Sequence, residues 1–173
     1  MVARCDPQKD YQNLLLALQI FCKKTATPWK FLIVGRNTES LAGEVERLGL
    51  APHILILGAR HDIAHVLNAL DVHVLSSAYG EGFPNVLAEA MACGVPCVAT
   101  DVGDAARIVE NTGWIVAPRD PEFLADALNQ ALASYQSIFW EERKSCALHR
   151  IENHFSIEKM RSTYHDLWLS VHQ

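Results

Sequence analysis

Basic residues are in the minority: 15 Lys and Arg stand against 20 Asp and Glu, a formal net charge of −5. That balance supplies no basic field for following a phosphate backbone, so no nucleic-acid partner is expected. Long apolar runs are missing as well. Stretches such as Ile54 to Leu57 and Val72 to Leu75 fall far short of the roughly 20 residues that a bilayer span needs. Met1 leads almost at once into charged residues, so no signal peptide is expected there. Only 9 glycines occur, and no internal repeat or linker-like stretch interrupts the chain, which excludes collagen-like and low-complexity classes. Cysteines number five, at positions 5, 22, 93, 97 and 146. An odd count with scattered spacing reads as reduced thiols in a cytosolic protein. Cys93 and Cys97 flank a Gly-Val-Pro turn between apolar runs. They therefore read as buried small side chains, since a redox couple needs an electropositive neighbourhood.

What is present is an ordinary globular composition: 173 residues, half of them apolar and a fifth charged, enough for one compact core and too apolar for intrinsic disorder. Short apolar runs alternate with helical periods. Strands are expected at 30–35, 54–58, 72–76, 95–99 and 114–117, and helices at 41–48, 62–69 and 84–93, with a weaker one from Ala105. Continuous apolar strands separated by helices predict a Rossmann-like α/β fold, a parallel sheet with helices on both faces. The last third reads as three helices, at 121–135, 138–153 and 157–172, with Ser156 as cap of the third.

In open α/β sheets the ligand sits beyond the carboxyl ends of the strands. The loop Ser76 to Asn85 leaves a strand and enters a helix there, with Pro84 placed to suit a first helical turn. The exposed N–H groups of that helix start favour an anion, and Gly80 and Gly82 let the backbone approach it. Two carboxylates frame the loop, Glu81 within it and Glu89 after seven intervening residues. Together they could hold the two sugars at either end of a diphosphate lying on the helix start. The alternative is that both are solvated charges.

The segment Glu81-Gly-Phe-Pro-Asn-Val-Leu-Ala-Glu89, continuing through Gly94-Val-Pro96 to Asp101-Val-Gly103, resembles the E-x7-E signature of family 4 retaining glycosyltransferases of the GT-B fold. Val2-Ala-Arg4 to Lys9 is similar to the family's first strand and turn, Val34-Gly35 to its second strand, Leu57-Gly58-Ala-Arg60 to its loop near the nucleotide base, and Thr112 to Pro118 continues the pattern. The resemblance implies one half of a GT-B fold: residues 1–173 as a single nucleotide-sugar-binding domain, beginning inside that domain's first strand, with the amino-terminal acceptor domain supplied by another segment. It assigns Glu81 to hydroxyls of the transferred sugar and Glu89 to the ribose. Gly82, Phe83, Pro84, Asn85 and Val86 are assigned to the donor's phosphate and sugar, Gly58 and Arg60 to the base, and Arg4 and Lys9 to the diphosphate leaving group. An Arg fork and a Lys point charge both suit that leaving group.

The implied activity is transfer of a sugar from a nucleotide diphosphate sugar to a glycan or lipid-linked acceptor, without metal or cofactor, in surface polysaccharide or glycolipid synthesis. The implied location is cytoplasmic, peripheral at the inner membrane face through the other domain. A non-catalytic nucleotide-sugar-binding module and a GT-B sugar-nucleotide epimerase are the alternatives. Two positions depart from the family pattern: Asp104 stands where a second Gly is common, and Arg107 where an acid is common.

Competing motifs read less well. Gly80-x-Gly82-x-x-Asn85 lacks the third Gly of a dinucleotide fingerprint. His61 and His65 mimic a zinc pair, but Asp62 reads as a helix N-cap that leaves His61 outside. His73 reads as a hydrogen-bonded sheet residue, and Trp29, Trp114, Trp140 and Trp168 as core or edge anchors.

Overall fold

A computed structural model describes residues 1–135 and 137–171. The strands are β1 (Phe31–Val34), β2 (Ile54–Gly58), β3 (His73–Leu75), β4 (Cys97–Thr100) and β5 (Trp114–Val116). The helices are α1 (Tyr11–Lys24), α2 (Ala42–Arg47), α3 (Ile63–Asn68), α4 (Asn85–Ala92), α5 (Ala105–Val109), α6 (Pro121–Tyr135), α7 (Trp140–His154) and α8 (Ile157–Val171). Every expected element is present, and His172, the expected end of the last helix, lies outside the described residues.

All strand pairings are parallel: β1 with β2, β3 with β4, and β4 with β5. Residues 1–3 join the two sets. Val2 bridges Val34 in parallel, and the Val2 N–H reaches Nε2 of His73 at 3.3 Å. All four residues of β4 are buried, so both of its faces are covered. This is the Rossmann-like arrangement that the apolar runs predicted. α1 packs on α6, while α4 packs on α7, α3 and α5. In α1 the buried stripe of Tyr11, Leu14, Leu15, Leu18 and Phe21 repeats at helical spacing. Each such side chain contributes about 1.5–3 kcal/mol by leaving water.

Several local expectations need correction. Pro84 is the N-cap of α4 and not its first residue, with ψ at 89°, outside the helical range. Asp62 stands at the N-cap of α3, yet its carboxylate makes no capping bond and instead takes a two-pronged contact from Arg60, at 2.8 and 2.6 Å. A charged fork outcompetes a neutral N–H for one carboxylate. His73 is half satisfied, because Nδ1 is buried with no hydrogen-bond partner among the described residues. Burial first, and a nearby positive charge second, hold its pKa well below the usual range. Trp168 is 67% exposed on α8, so it is no core anchor. By contrast Cys97 is buried and burial pushes its thiol pKa far up, the behaviour of a packing thiol. The Lys159 N–H bonds the Ser156 hydroxyl at 3.2 Å, the expected cap. No helix among the described residues is long and apolar enough to cross a membrane.

Candidate functional site

Because all strands run the same way, the segments leaving residues 1–3, β1, β3 and β4 gather at one end of the sheet. There the turn Pro7–Lys9 meets the loop after β3. Asp6 caps that turn by accepting the Gln8 N–H at 3.0 Å, and Asp10, in the left-handed region at φ 47°, caps α1 by accepting the Asn13 N–H at 3.2 Å. Burial raises the Asp6 pKa, but the hydrogen bond and charge of Arg4, with two backbone N–H groups, bring it below its usual value overall.

Three further hydrogen bonds fasten the turn and the loop together, and a fourth ties the loop to the end of β4. Ala78 N–H donates to the Gln8 carbonyl at 2.8 Å, and Gln8 Nε2 donates to the Gly80 carbonyl at 2.8 Å. The Ser76 hydroxyl donates to the Lys9 carbonyl at 2.8 Å, and Thr100 donates to the Ser77 carbonyl at 2.6 Å. The clasp centres on Glu81. Its Oε1 accepts from the Lys9 ammonium and from the Ser77 hydroxyl at 2.5 Å. The side chains of Lys9 and Glu81 are 13% and 8% exposed, so the pair is largely withdrawn from water.

Beside this pair lies a cavity of about 430 Å³, lined by Arg4, Lys9, Arg36, Glu81 and the Phe83 to Val86 start of α4, with Val2, Ala3, Val34 and Gly35 as its floor. That volume suits a small ligand. The first turn of α4 presents N–H groups with no acceptor inside the helix, which together with three basic side chains favours an anion.

Of the expected residues, Arg4, Lys9, Glu81, Phe83, Pro84, Asn85 and Val86 line this one cavity. Gly82 is adjacent, exposed, and its carbonyl accepts the Asp104 N–H at 2.9 Å. Glu89 lies outside the lining, exposed on α4, three and four residues beyond Val86 and Asn85 and so one turn along the same face. Burial first and Glu89 second hold the Cys93 thiol pKa above its usual range. Gly58 ends β2 and accepts the Gly35 N–H at 2.8 Å, and Arg60 is exposed and paired with Asp62; neither lines the cavity.

Sequence reasoning missed Arg36 and the Ser76 and Ser77 hydroxyls. Arg36 directly follows the Val34-Gly35 strand end, and the two serines follow β3, so each carried a positional signal.

Gly103 secures the loop from the far side. At φ +61°, a Cβ there would come within 2.1 Å of the Glu81 carbonyl oxygen. Gly103→Ala is therefore expected to lower stability by more than the about 1–2 kcal/mol of left-handed strain alone and to weaken ligand binding through Glu81. Gly49→Ala is the control, since Gly49 shares a positive φ of +72° but faces open space. Urea unfolding of both variants checks this, and equal losses would remove the clash as a cause.

With this geometry in place, comparison with known proteins decides the family. A profile described as "Glycosyl transferases group 1" matches residues 1–134. The chain belongs to the group 1 glycosyl transferases. Among these transferases it is 31% identical over 159 residues to the N-acetyl-alpha-D-glucosaminyl L-malate synthase of Bacillus anthracis, covering 89% of this chain and 41% of that protein. It is 28% identical over 179 residues to the Escherichia coli UDP-Gal:alpha-D-GlcNAc-diphosphoundecaprenol alpha-1,3-galactosyltransferase, covering 99% of this chain and 45% of that one. The structure of Anabaena HepE in complex with UDP superposes with a TM-score of 0.85 at 26% identity, covering 98% of this chain and 47% of HepE. The chain thus spans under half the length of each of these relatives.

Proposed function

We propose that residues 1–173 are the nucleotide-sugar donor half of a retaining, metal-independent glycosyltransferase of surface polysaccharide or glycolipid synthesis. A further domain supplies the acceptor site, and the enzyme works on the cytoplasmic side of the membrane. The observation that carries this reading is the convergence of Arg4, Lys9, Arg36, Glu81 and the start of α4 on one cavity at the carboxyl end of a parallel sheet. The UDP in the HepE complex supports a nucleoside diphosphate as the ligand of this cavity, with UDP the first to test.

Transfer leaves negative charge on the departing diphosphate as the glycosidic bond breaks. Preoriented cations and helix-start N–H groups stabilise that charge without reorganising. In this reading Arg4, Lys9 and the start of α4 receive the diphosphate, and Glu81 meets the sugar hydroxyls. Glu89, one turn further along α4, accepts from the ribose of a ligand that extends past the cavity rim.

The test is calorimetry with UDP and a UDP-sugar. Glu89→Gln is expected to weaken both by about 1.5–3 kcal/mol, the worth of a hydrogen bond to a charged group. Glu81→Gln is expected to weaken only the sugar conjugate and to hold or tighten UDP, because Lys9 loses its acid partner. Equal losses of UDP in the two variants would overturn this division of roles. Product analysis then separates transfer from epimerisation.

A further inference from the structure

A second and larger cavity, of about 880 Å³, opens beside the first and shares Phe83 and Asn85 with it. Its remaining walls come from α5, α7 and α8. Four basic side chains line it, those of Arg107, Arg150, His154 and Lys159, and no Asp or Glu among the described residues does.

The four are not equivalent. Arg150 is spent on the fold: its side chain is 14% exposed, pairs with Glu110, and donates to the Ile108 carbonyl at 2.7 Å and to the Arg107 carbonyl. Arg107 is available, since its side chain is 70% exposed and meets only Asp104, at 3.4 Å. Both guanidinium groups lie over the Phe155 ring, at 5.8 and 5.6 Å from its centre. The ring thus holds the two cations on one wall. Among the described residues no acid pairs with Lys159. Met160 and Tyr164, at 55% and 68% exposure on α8, add apolar surface to the lining.

We propose that this cavity extends the further domain's acceptor site onto this one and receives the phosphate-bearing end of the acceptor, with Arg107 and Lys159 on the phosphate and Phe155, Met160 and Tyr164 against an adjoining apolar group. This rests on the transferase reading. A planar guanidinium held by one exposed acid at 3.4 Å and a mobile ammonium are the donors that a phosphate ester calls for. The Phe83 and Asn85 side chains common to the two cavities put such an acceptor next to the donor. Arg107 stands where the resembled family commonly has an acid, and that departure adds a cation to the lining.

The experiment is calorimetry on the full chain, first with UDP and then, with UDP saturating, with octyl phosphate, octyl glucoside and inorganic phosphate. Octyl phosphate is expected to bind more tightly than either control. Arg107→Glu and Lys159→Glu are each expected to weaken octyl phosphate about tenfold or more, as loss of a charge-assisted bond implies, and to leave UDP unchanged. Arg107→Lys should retain most of the binding, and Arg4→Ala should leave octyl phosphate untouched. Octyl phosphate no tighter than octyl glucoside, inorganic phosphate as tight as octyl phosphate, or indifference to both charge reversals would each overturn the proposal. Failure of the wild type to bind UDP counts against the transferase reading instead, and the Arg107 and Lys159 variants still report on this cavity.

Discussion

Replacing Lys9 with Met is expected to destabilise the fold by about 3–5 kcal/mol, the cost of breaking a buried ion pair by removing one partner. The ordinary surface pair contributes about 0–1 kcal/mol, because water screens it. Lys9 and Glu81 are different, at 13% and 8% side-chain exposure. Without the ammonium, the Glu81 carboxylate keeps only the Ser77 hydroxyl, at 2.5 Å. One neutral donor does not replace the hydration that burial removed. The double variant Lys9→Met with Glu81→Gln, which removes the charge as well, is expected to recover much of the loss. Urea unfolding of the wild type, both single variants and the double variant closes a cycle. A Lys9→Met effect below about 1 kcal/mol would return the pair to the class of surface salt bridges.

The largest effect expected is on turnover. The chain alone is expected to bind nucleoside diphosphate yet transfer sugar slower than a form carrying the acceptor domain by about 10⁵-fold or more. Holding acceptor and donor in attack geometry supplies about 7–11 kcal/mol of barrier reduction. A closed cleft also excludes water from the bond being broken, whereas the donor cavity is bordered by exposed Arg4 and Arg36. Single-turnover transfer from a UDP-sugar, with and without the acceptor domain, measures the difference. Comparable rates would mean that this chain completes a catalytic site by itself.

The stability and turnover predictions depend on different kinds of information. The order and type of the strands, and of the helices from α2 onward, could be read locally. Four-residue apolar runs announce covered strands, and a stripe such as Leu124, Leu128 and Ala131 announces a helix face, because side-chain period and burial are properties of neighbouring residues. The Glu81 to Glu89 segment was legible in the same way, being one loop and one helix.

Boundaries were less legible where a charge had a choice of partners. Asp62 reads as a helix cap from its position, and only the folded chain shows Arg60 taking its carboxylate. Trp168 reads as a core or edge anchor from its chemistry, and only the folded chain shows it 67% exposed on α8.

By itself, then, the sequence determined a parallel α/β domain with a phosphate-compatible loop between β3 and α4. Tertiary structure alone decided how the site closes. Lys9 and Glu81 are 72 residues apart, and no local period relates them. Arg36 enters the cavity from the end of β1, and Ser77 turns toward Glu81 from the end of β3. Arg107 from α5, Phe155 from the link between α7 and α8, and Lys159 from α8 line one cavity. Parallel crossovers carry each strand's exit to the same edge of the sheet. Which side chains then face one another is set by how those exits pack, and not by any pattern along the chain.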